Sequence, residues 1–478
     1  LFRSARTQVE VALVIAVLGV SNVLHITVSE RTNELAILRA VGWSRWRVAS
    51  LVLAFGLHLT FGTYEVVWSI YLIALGASVV LKLWLAQRQI NNVAANRPQV
   101  PEAFAGKIQL DAHQKAADYT LSNARQGRLE LVYTTLLLLG WTLGGGLHWL
   151  DSNWRGLGWD TLPTGVAVLV STFLIIAILE LPFSVYHTFV TEQRFGFNRT
   201  TPGTFVADLL KQTLLMLILG IPLAWAALWL MQESGRLWWL YLWLLWASFS
   251  LLMLWAYPAI IAPLFNKFTL LDDENLQQRI QSLLDRCGFK SQGIYVMDGS
   301  RRSGHGNAYF TGMGQNKRIV FFDTLLKTLE ADEIEAVLAH ELGHFKRKHV
   351  QKRIVTMMLT SLAGLALLGW LSEQTWFYQG LGIQQASNHL ALLLFLMVAP
   401  VFTVFLQPLA AWFSRKHEFE ADDYAAEQAS AADLVQALVK MYKENASTLT
   451  PDPLYSAFHD SHPPAPVRVA HLASKLTT

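Results

Sequence analysis

Apolar runs of membrane-span length recur along the chain, separated by polar, mostly basic segments. Residues 9–28 (VEVALVIAVLGVSNVLHITV) form the first run, close to the ~20 residues a transmembrane helix needs. A basic amphipathic stretch, 29–48, follows it. The run 51–85 is broken by Glu65, and its later part, from Val66, reads as one span. Further spans are predicted at 130–150, 164–184, 209–231, 237–257, 354–371 and 389–411. The polar segment 87–128, interrupted by Pro98-x-x-Pro101, is expected to form short amphipathic helices. The segment 265–353 is polar, and 412–478 is polar with a helical pattern.

Composition agrees with a membrane setting. The 478 residues are 53% hydrophobic and 15% charged, with 18 Trp, whereas soluble domains carry about 25% charge. A net charge of +3 fits basic cytoplasmic loops and carries no nucleic-acid footprint. The single cysteine, Cys287, excludes an intrachain disulfide and reads as a structural residue. Any metal site must therefore use histidine and carboxylate. The chain begins at Leu1 without a signal-peptide cleavage pattern, as a fragment or fused product would.

Loop charge sets orientation. Basic residues crowd 87–128, 194–211, 265–353 and 415–416, while the alternate loops 151–163, 232–236 and 372–388 hold only Arg155 and Arg236. Seven spans from residue 66 onward satisfy this alternation and place 265–353 and the C-terminal segment on the cytoplasmic side. The basic stretch 31–47 conflicts with it, because 51–85 is too short for two crossings of ~20 residues each. A junction between unrelated pieces near 51–65 resolves the conflict, with the N-terminal piece lying on the surface or forming a re-entrant hairpin.

One stretch carries chemistry, Ala339-His340-Glu341-Leu342-Gly343-His344. On a helix, His340 and His344 share a face and can present two imidazoles to one metal ion. His-Glu-x-x-His is the zincin pattern, with Zn²⁺ the expected cofactor and Glu341 the general base. A third ligand should come from another helix. Ser414-Arg415-Lys416-His417-Glu418-Phe419-Glu420-Ala421-Asp422 offers Glu418, with Asp422 one turn on to orient an imidazole and assist proton transfer. His417 could compete as ligand but points about 100° from Glu418. In Phe458-His459-Asp460-Ser461-His462-Pro463-Pro464, His462 sits on a stiff turn and could stabilise an oxyanion, as could Arg468. Ser303-Gly304-His305-Gly306-Asn307-Ala308-Tyr309-Phe310 and Arg318-Ile319-Val320-Phe321-Phe322 read as a hairpin. Its edge could hold an extended peptide, with Asn307 as a substrate contact.

Asn307-Ala308-Tyr309-Phe310, His340 to His344, Glu418 to Asp422 and Ser461-His462-Pro463, in this order and spacing, resemble the type I CAAX prenyl endopeptidases. These are integral-membrane gluzincin metalloproteases. The resemblance runs from about residue 66 to the end. It implies a mainly α, polytopic fold: seven transmembrane helices forming a chamber, capped by a zincin-like peptidase domain with a small β-hairpin. It implies one Zn²⁺ held by His340, His344 and Glu418, catalysis by Glu341, Asp422 and His462, and substrate contacts at Asn307 and Arg468. The expected divisions are 66–257 for five membrane helices, 258–353 for the peptidase segment, 354–411 for two more spans, and 412–478 for the part carrying the third ligand. Residues 1–53 lie outside that family. Their Glu30-Arg31-Thr32 and Glu34 to Gly42 block resembles ABC transporter permeases of the lipoprotein-release and cell-division type.

The expected function is thus a zinc-dependent endopeptidase acting on prenylated CAAX-type or other membrane-associated proteins, with a role in membrane-protein quality control as a further expectation. The permease-like block points to a bacterial inner membrane, with the site on the cytoplasmic side or in the intramembrane chamber. Expected partners are the peptide substrate and the bilayer, with no nucleic acid and no ATPase. Two other classes stay open, a catalytically silent membrane scaffold and a permease-related subunit.

Overall fold

A bilayer offers backbone polar groups no partners, so apolar runs must pair them internally as helices. The computed structural model describes residues 63–291, 293–311 and 318–475. The run 9–28, the basic stretch 29–48, the permease-like block and the hairpin tip 312–317 lie outside the described residues. The first helices are α1 Thr63–Asn96, α2 Leu110–Trp141, α3 Gly146–Arg155, α4 Thr161–Tyr186, α5 Pro202–Glu233 and α6 Trp238–Ala256. After α7 Glu274–Cys287 and a small sheet come α8 Ala331–Lys346, α9 His349–Leu371, α10 Asn388–Thr403 and α11 Gln407–Gln428. The chain closes with α12 Ala431–Glu444, α13 Pro453–His459 and α14 Ala465–Ser474, and short helical turns join several of these elements.

Among the described residues six helices are long and apolar enough to cross a membrane, or seven when the bent pair α2–α3 is one span. Five of the six are only 6–22% buried over their apolar windows. Side chains such as Ile73, Ile178, Leu214 and Leu359 stand exposed on them, the pattern of walls that face lipid. Buried apolar side chains form two main cores. One, around Tyr71, Leu147, Val168, Leu368 and Leu390, lies among the spans. The other, around Ile280, Leu283, Phe321, Leu338 and Leu342, joins α7, α8 and the small sheet and includes buried Cys287.

Two expectations about the elements need correction. The polar segment 87–128 is not a set of short helices; α1 and α2 run straight through it and leave only residues 97–109 between them. Its Ala, Gln, Glu and Arg residues propagate a helix readily, and only Pro98 and Pro101 stop it. The span expected at 130–150 breaks at the Gly144-Gly145-Gly146 run, where α3 turns by 46° and Gly145 takes φ +77°, a conformation open to glycine. The last predicted span, 389–411, comprises α10 and the first residues of α11. After a tight turn at Val404–Leu406 the chain continues as α11, which carries the acidic motif.

The hairpin is present but belongs to a larger sheet. Strands β1 Phe268–Leu270, β2 Ile294–Met297, β3 Ala308–Thr311 and β4 Arg318–Phe322 stand in the order β1-β2-β4-β3. β3 and β4 pair antiparallel with Tyr309 opposite Val320, and β2 and β4 run parallel. β3 is therefore a sheet edge.

Among the spans, a buried polar group ties α3 to α10. Asp151 Oδ1 lies 2.7 Å from His389 Nε2, and Asp151 Oδ2 accepts from Arg155 Nε at 2.6 Å. Both Asp151 and His389 are buried. Removing one partner of such a pair strands the other without water. Asp151→Ala is expected to destabilise the protein by about 3 kcal/mol, seen as a lowered unfolding temperature in detergent. An unchanged temperature would show that the pair carries no net stability.

Candidate active site

α8 starts with a capping box, the Glu330 side chain accepting from the helix and Glu333 Oε2 accepting from Glu330 N at 2.8 Å. Lys440 Nζ of α12 adds an ion pair to Glu333 at 2.8 Å. These contacts fix the rotation of α8, and the rotation decides where His340 and His344 point. At the other end Lys348 adopts φ 59°, which swings the chain from α8 into the span α9.

α8 lies directly against α11 because Gly343 has no side chain. A Cβ built there would meet Ala421 Cα at 2.9 Å and Ala421 O at 3.0 Å. This close approach brings Glu418 to the two histidines. Glu418 Oε2 lies 3.5 Å from His340 Nε2, and Glu418 Oε1 lies 3.3 Å from His344 Nε2. One ligand atom from each of the three residues falls within 4.8 Å of the others. Gly343→Ala is therefore expected to lower kcat/KM at least about tenfold, since a 1 Å displacement at a reacting centre can cost ~100-fold. Peptide hydrolysis together with metal content measures this, and retention of both at wild-type levels would contradict it.

The group fits a cation. Glu418 is 4% exposed, and its Oε2 is buried without a hydrogen-bond partner. His340 Nε2 and His344 Nε2 face each other at 3.2 Å. A buried carboxylate oxygen and two converging imidazole nitrogens are costly to leave together unless a positive ion accepts their lone pairs.

Behind each histidine stands an acidic partner. Asp422 Oδ1 lies 2.8 Å from His340 Nδ1, and the fully buried Asp422 is gripped by Arg468 through Nε at 2.8 Å and Nη2 at 2.7 Å. With the Nδ1 proton given to Asp422, the His340 Nε2 lone pair points toward Glu418 and His344. Burial and Arg468 press the His340 pKa down, but Asp422 and Glu418 outweigh them and raise it. A cation binding there competes with a proton. Burial lowers the Arg468 pKa as well, yet the Asp422 carboxylate more than reverses this and holds the guanidinium charged.

The second relay has no counterpart among the sequence motifs. His344 Nδ1 lies 3.0 Å from His349 Nδ1, and His349 Nε2 lies 3.0 Å from Glu420 Oε2. His349 is 1% exposed and stacks on His417 with centroids 4.1 Å apart. His417 thus lies behind the cluster rather than in it. A histidine five residues after His344 is the available signal, but nothing in the sequence shows that it turns back toward α8.

The other expected residues separate into near and far. Glu341 is half-buried on α8 beside His340. His462 Nε2 lies 3.6 Å from Glu418 Oε1, with Ser461 Oγ 3.0 Å from its Nδ1. Asn307 is exposed at the entry to β3, its Oδ1 accepting from Ala308 N at 2.8 Å. Arg468 is 6% exposed and committed to Asp422 behind His340, so its guanidinium is turned away from open space.

The chain is similar to known proteins over most of its length. Residues 270–476 match peptidase family M48, and 89–267 match the CAAX prenyl protease N-terminal region of five membrane helices. Residues 9–104 match the C-terminal region of FtsX-like permeases, so the permease resemblance extends past residue 53 and overlaps the protease match. The CAAX prenyl protease 1 homolog of Arabidopsis thaliana is 35% identical over 402 residues, covering 80% of this chain and 92% of that protein. CAAX prenyl protease 1 of Saccharomyces cerevisiae is 34% identical over 313 residues, covering 62% and 69%. The crystal structure of S. mikatae Ste24p superposes with a TM-score of 0.78 at 28% identity, covering 86% of this chain and 99% of that one. The fold and the family matches define an integral-membrane metalloendopeptidase. The chain belongs to peptidase family M48, among the CAAX prenyl proteases.

Proposed function

We propose that the chain is a zinc endopeptidase in which His340, His344 and Glu418 hold one Zn²⁺ and Glu341 is the general base. The observation that carries this is Glu418 Oε2, buried without a hydrogen bond opposite two converging imidazole nitrogens, with the Arg468 guanidinium 3.8 Å away. Two histidines and one carboxylate with no cysteine suit zinc well. A zinc ion held there supplies Lewis-acid polarisation of the scissile carbonyl and makes water a nucleophile at neutral pH.

The remaining steps belong to the chain. Glu341 takes the proton of the attacking water and returns it to the leaving amine. His462, on the open side of Glu418, donates a hydrogen bond to the developing oxyanion. Asp422 holds the His340 tautomer, and Arg468 positions Asp422. The edge strand β3 offers backbone groups to an extended peptide, with Asn307 at its entrance.

The substrates proposed are CAAX-type prenylated proteins, the class named for the relatives, or other lipid-associated chains. The loop charges support a cytoplasm-facing site. The permease-like segment supports a bacterial inner membrane, where turnover of damaged membrane proteins is the fitting role. Detergent-purified protein should cleave a farnesylated CAAX peptide more efficiently than its unprenylated twin, and a chelator should stop both reactions. Equal cleavage of the two peptides would remove prenyl recognition. Cleavage insensitive to the chelator would remove the zinc mechanism.

A further inference from the structure

Lys82 is the first charged side chain after the uncharged, mostly apolar stretch 66–81 of α1. It lines a cavity of about 500 Å³ between α1, α2 and the segment around α13, together with Arg128, Tyr119, Asn123, Asn445 and His459. No carboxylate lines this cavity. Among the described residues Lys82 has no acidic partner, and Arg128 donates only to the neutral Gln87 Oε1, at 2.7 Å. The nearest acids stand behind the lining: Asp460 follows His459, and two others hold partners of their own. Asp452 pairs with Arg88 at 2.9 Å, and Glu192 Oε1 accepts from Tyr119 at 2.5 Å. An unpaired lysine within a spanning helix is costly, and such residues face water-filled interiors where they meet a ligand. His459 is close enough to Lys82 for that charge to add to burial in lowering the His459 pKa.

The cavity adjoins the site at two places. His459 precedes His462 by three residues, a reach of at most ~10 Å. Asn445 Oδ1 accepts from Gly306 N at 3.1 Å, at the start of β3. A peptide added to the β3 edge in the antiparallel sense, the stronger ladder, runs opposite to Ala308–Thr311. Its C-terminal end then emerges at Gly306 and Asn445, at the cavity wall.

The geometry points to this cavity as the receptor for the substrate's C-terminal carboxylate, with Lys82 and Arg128 as its counter-charges. The inference rests on the peptidase reading and adds a specificity element to it. It sets the register of cleavage by counting from the chain end, with the two cations fixing the last residue while the zinc cluster meets a bond further up.

The test uses a fluorescein-labelled hexapeptide in two forms, with a free C-terminal carboxylate and with a carboxamide. Binding to the full-length Glu341→Gln protein is followed by anisotropy, and hydrolysis by the wild-type enzyme is followed separately. The acid should bind about tenfold or more tighter than the amide, the weight of a charge-assisted hydrogen bond. Lys82→Met should collapse that ratio toward one, Arg128→Gln should reduce it, and Lys82→Arg should keep it. A wild-type ratio near one, or a ratio unmoved in both Lys82→Met and Arg128→Gln, would overturn the inference. Equal competition against both peptides by micellar phosphatidylglycerol, lost in Lys82→Met, would also overturn it by assigning the cavity to a lipid phosphate. Preferential binding of the acid without hydrolysis would keep the receptor and remove the peptidase reading; hydrolysis without preference would do the reverse.

Discussion

Glu341→Gln is expected to lower kcat/KM for peptide hydrolysis by about 10²–10⁴-fold, the usual contribution of a general base. The amide has nearly the same size and shape, so α8 should stay seated against α11. His340, His344 and Glu418 are untouched, so the bound ion should remain at one per chain. Loss of turnover with full metal content is the signature of a base that acts on water rather than on the ion. A catalytically silent scaffold predicts no change in whatever activity it supports.

Glu418→Ala should act in the opposite order, through the ion first. It removes the carboxylate that faces both Nε2 atoms and leaves these two imidazole nitrogens 3.2 Å apart, with Asp422 reaching only the far nitrogen of His340. Metal affinity should fall by well over 100-fold, because losing even an outer partner of a metal ligand costs about 10–100-fold. Activity should fall with it and return only partly at high zinc concentration. His349→Ala tests the outer partner itself and should weaken binding less, within that 10–100-fold range. Equilibrium titration of metal into the chelated variants separates the two. An affinity for Glu418→Ala equal to that of the wild type would remove Glu418 from the ligand set.

Much of this site is legible in the order of residues along the chain. His340 and His344 are brought together by helical periodicity alone, and Glu418 and Asp422 share a face for the same reason. Their pairing across more than seventy residues rests on the resemblance to a known family, because periodicity cannot say which two helices meet. The approach at Gly343 illustrates the limit. A glycine between two candidate ligands could be a defect or a contact, and only the position of Ala421 decides it. The same reason hides the His344–His349–Glu420 relay, which needs the reversal at Lys348 to bring His349 back. Arg468 reads as a charge near the reaction but not as the clamp on Asp422, since its partner lies 46 residues away. The helical elements are legible by hydropathy, but their ends are not. Hydropathy reports where a helix meets lipid, not where it stops, so α1 and α2 outrun the apolar windows that announce them.

The central claim is that peptide hydrolysis depends on one metal ion held by His340, His344 and Glu418. The most direct measurement titrates zinc into chelator-stripped protein while following hydrolysis of a CAAX-type peptide, with Glu418→Ala in parallel. The account predicts that activity returns in the wild type with an end point of one ion per chain, and that the variant stays inactive over the same range. Turnover by the stripped wild-type protein, or full recovery of the variant at the same end point, would contradict it.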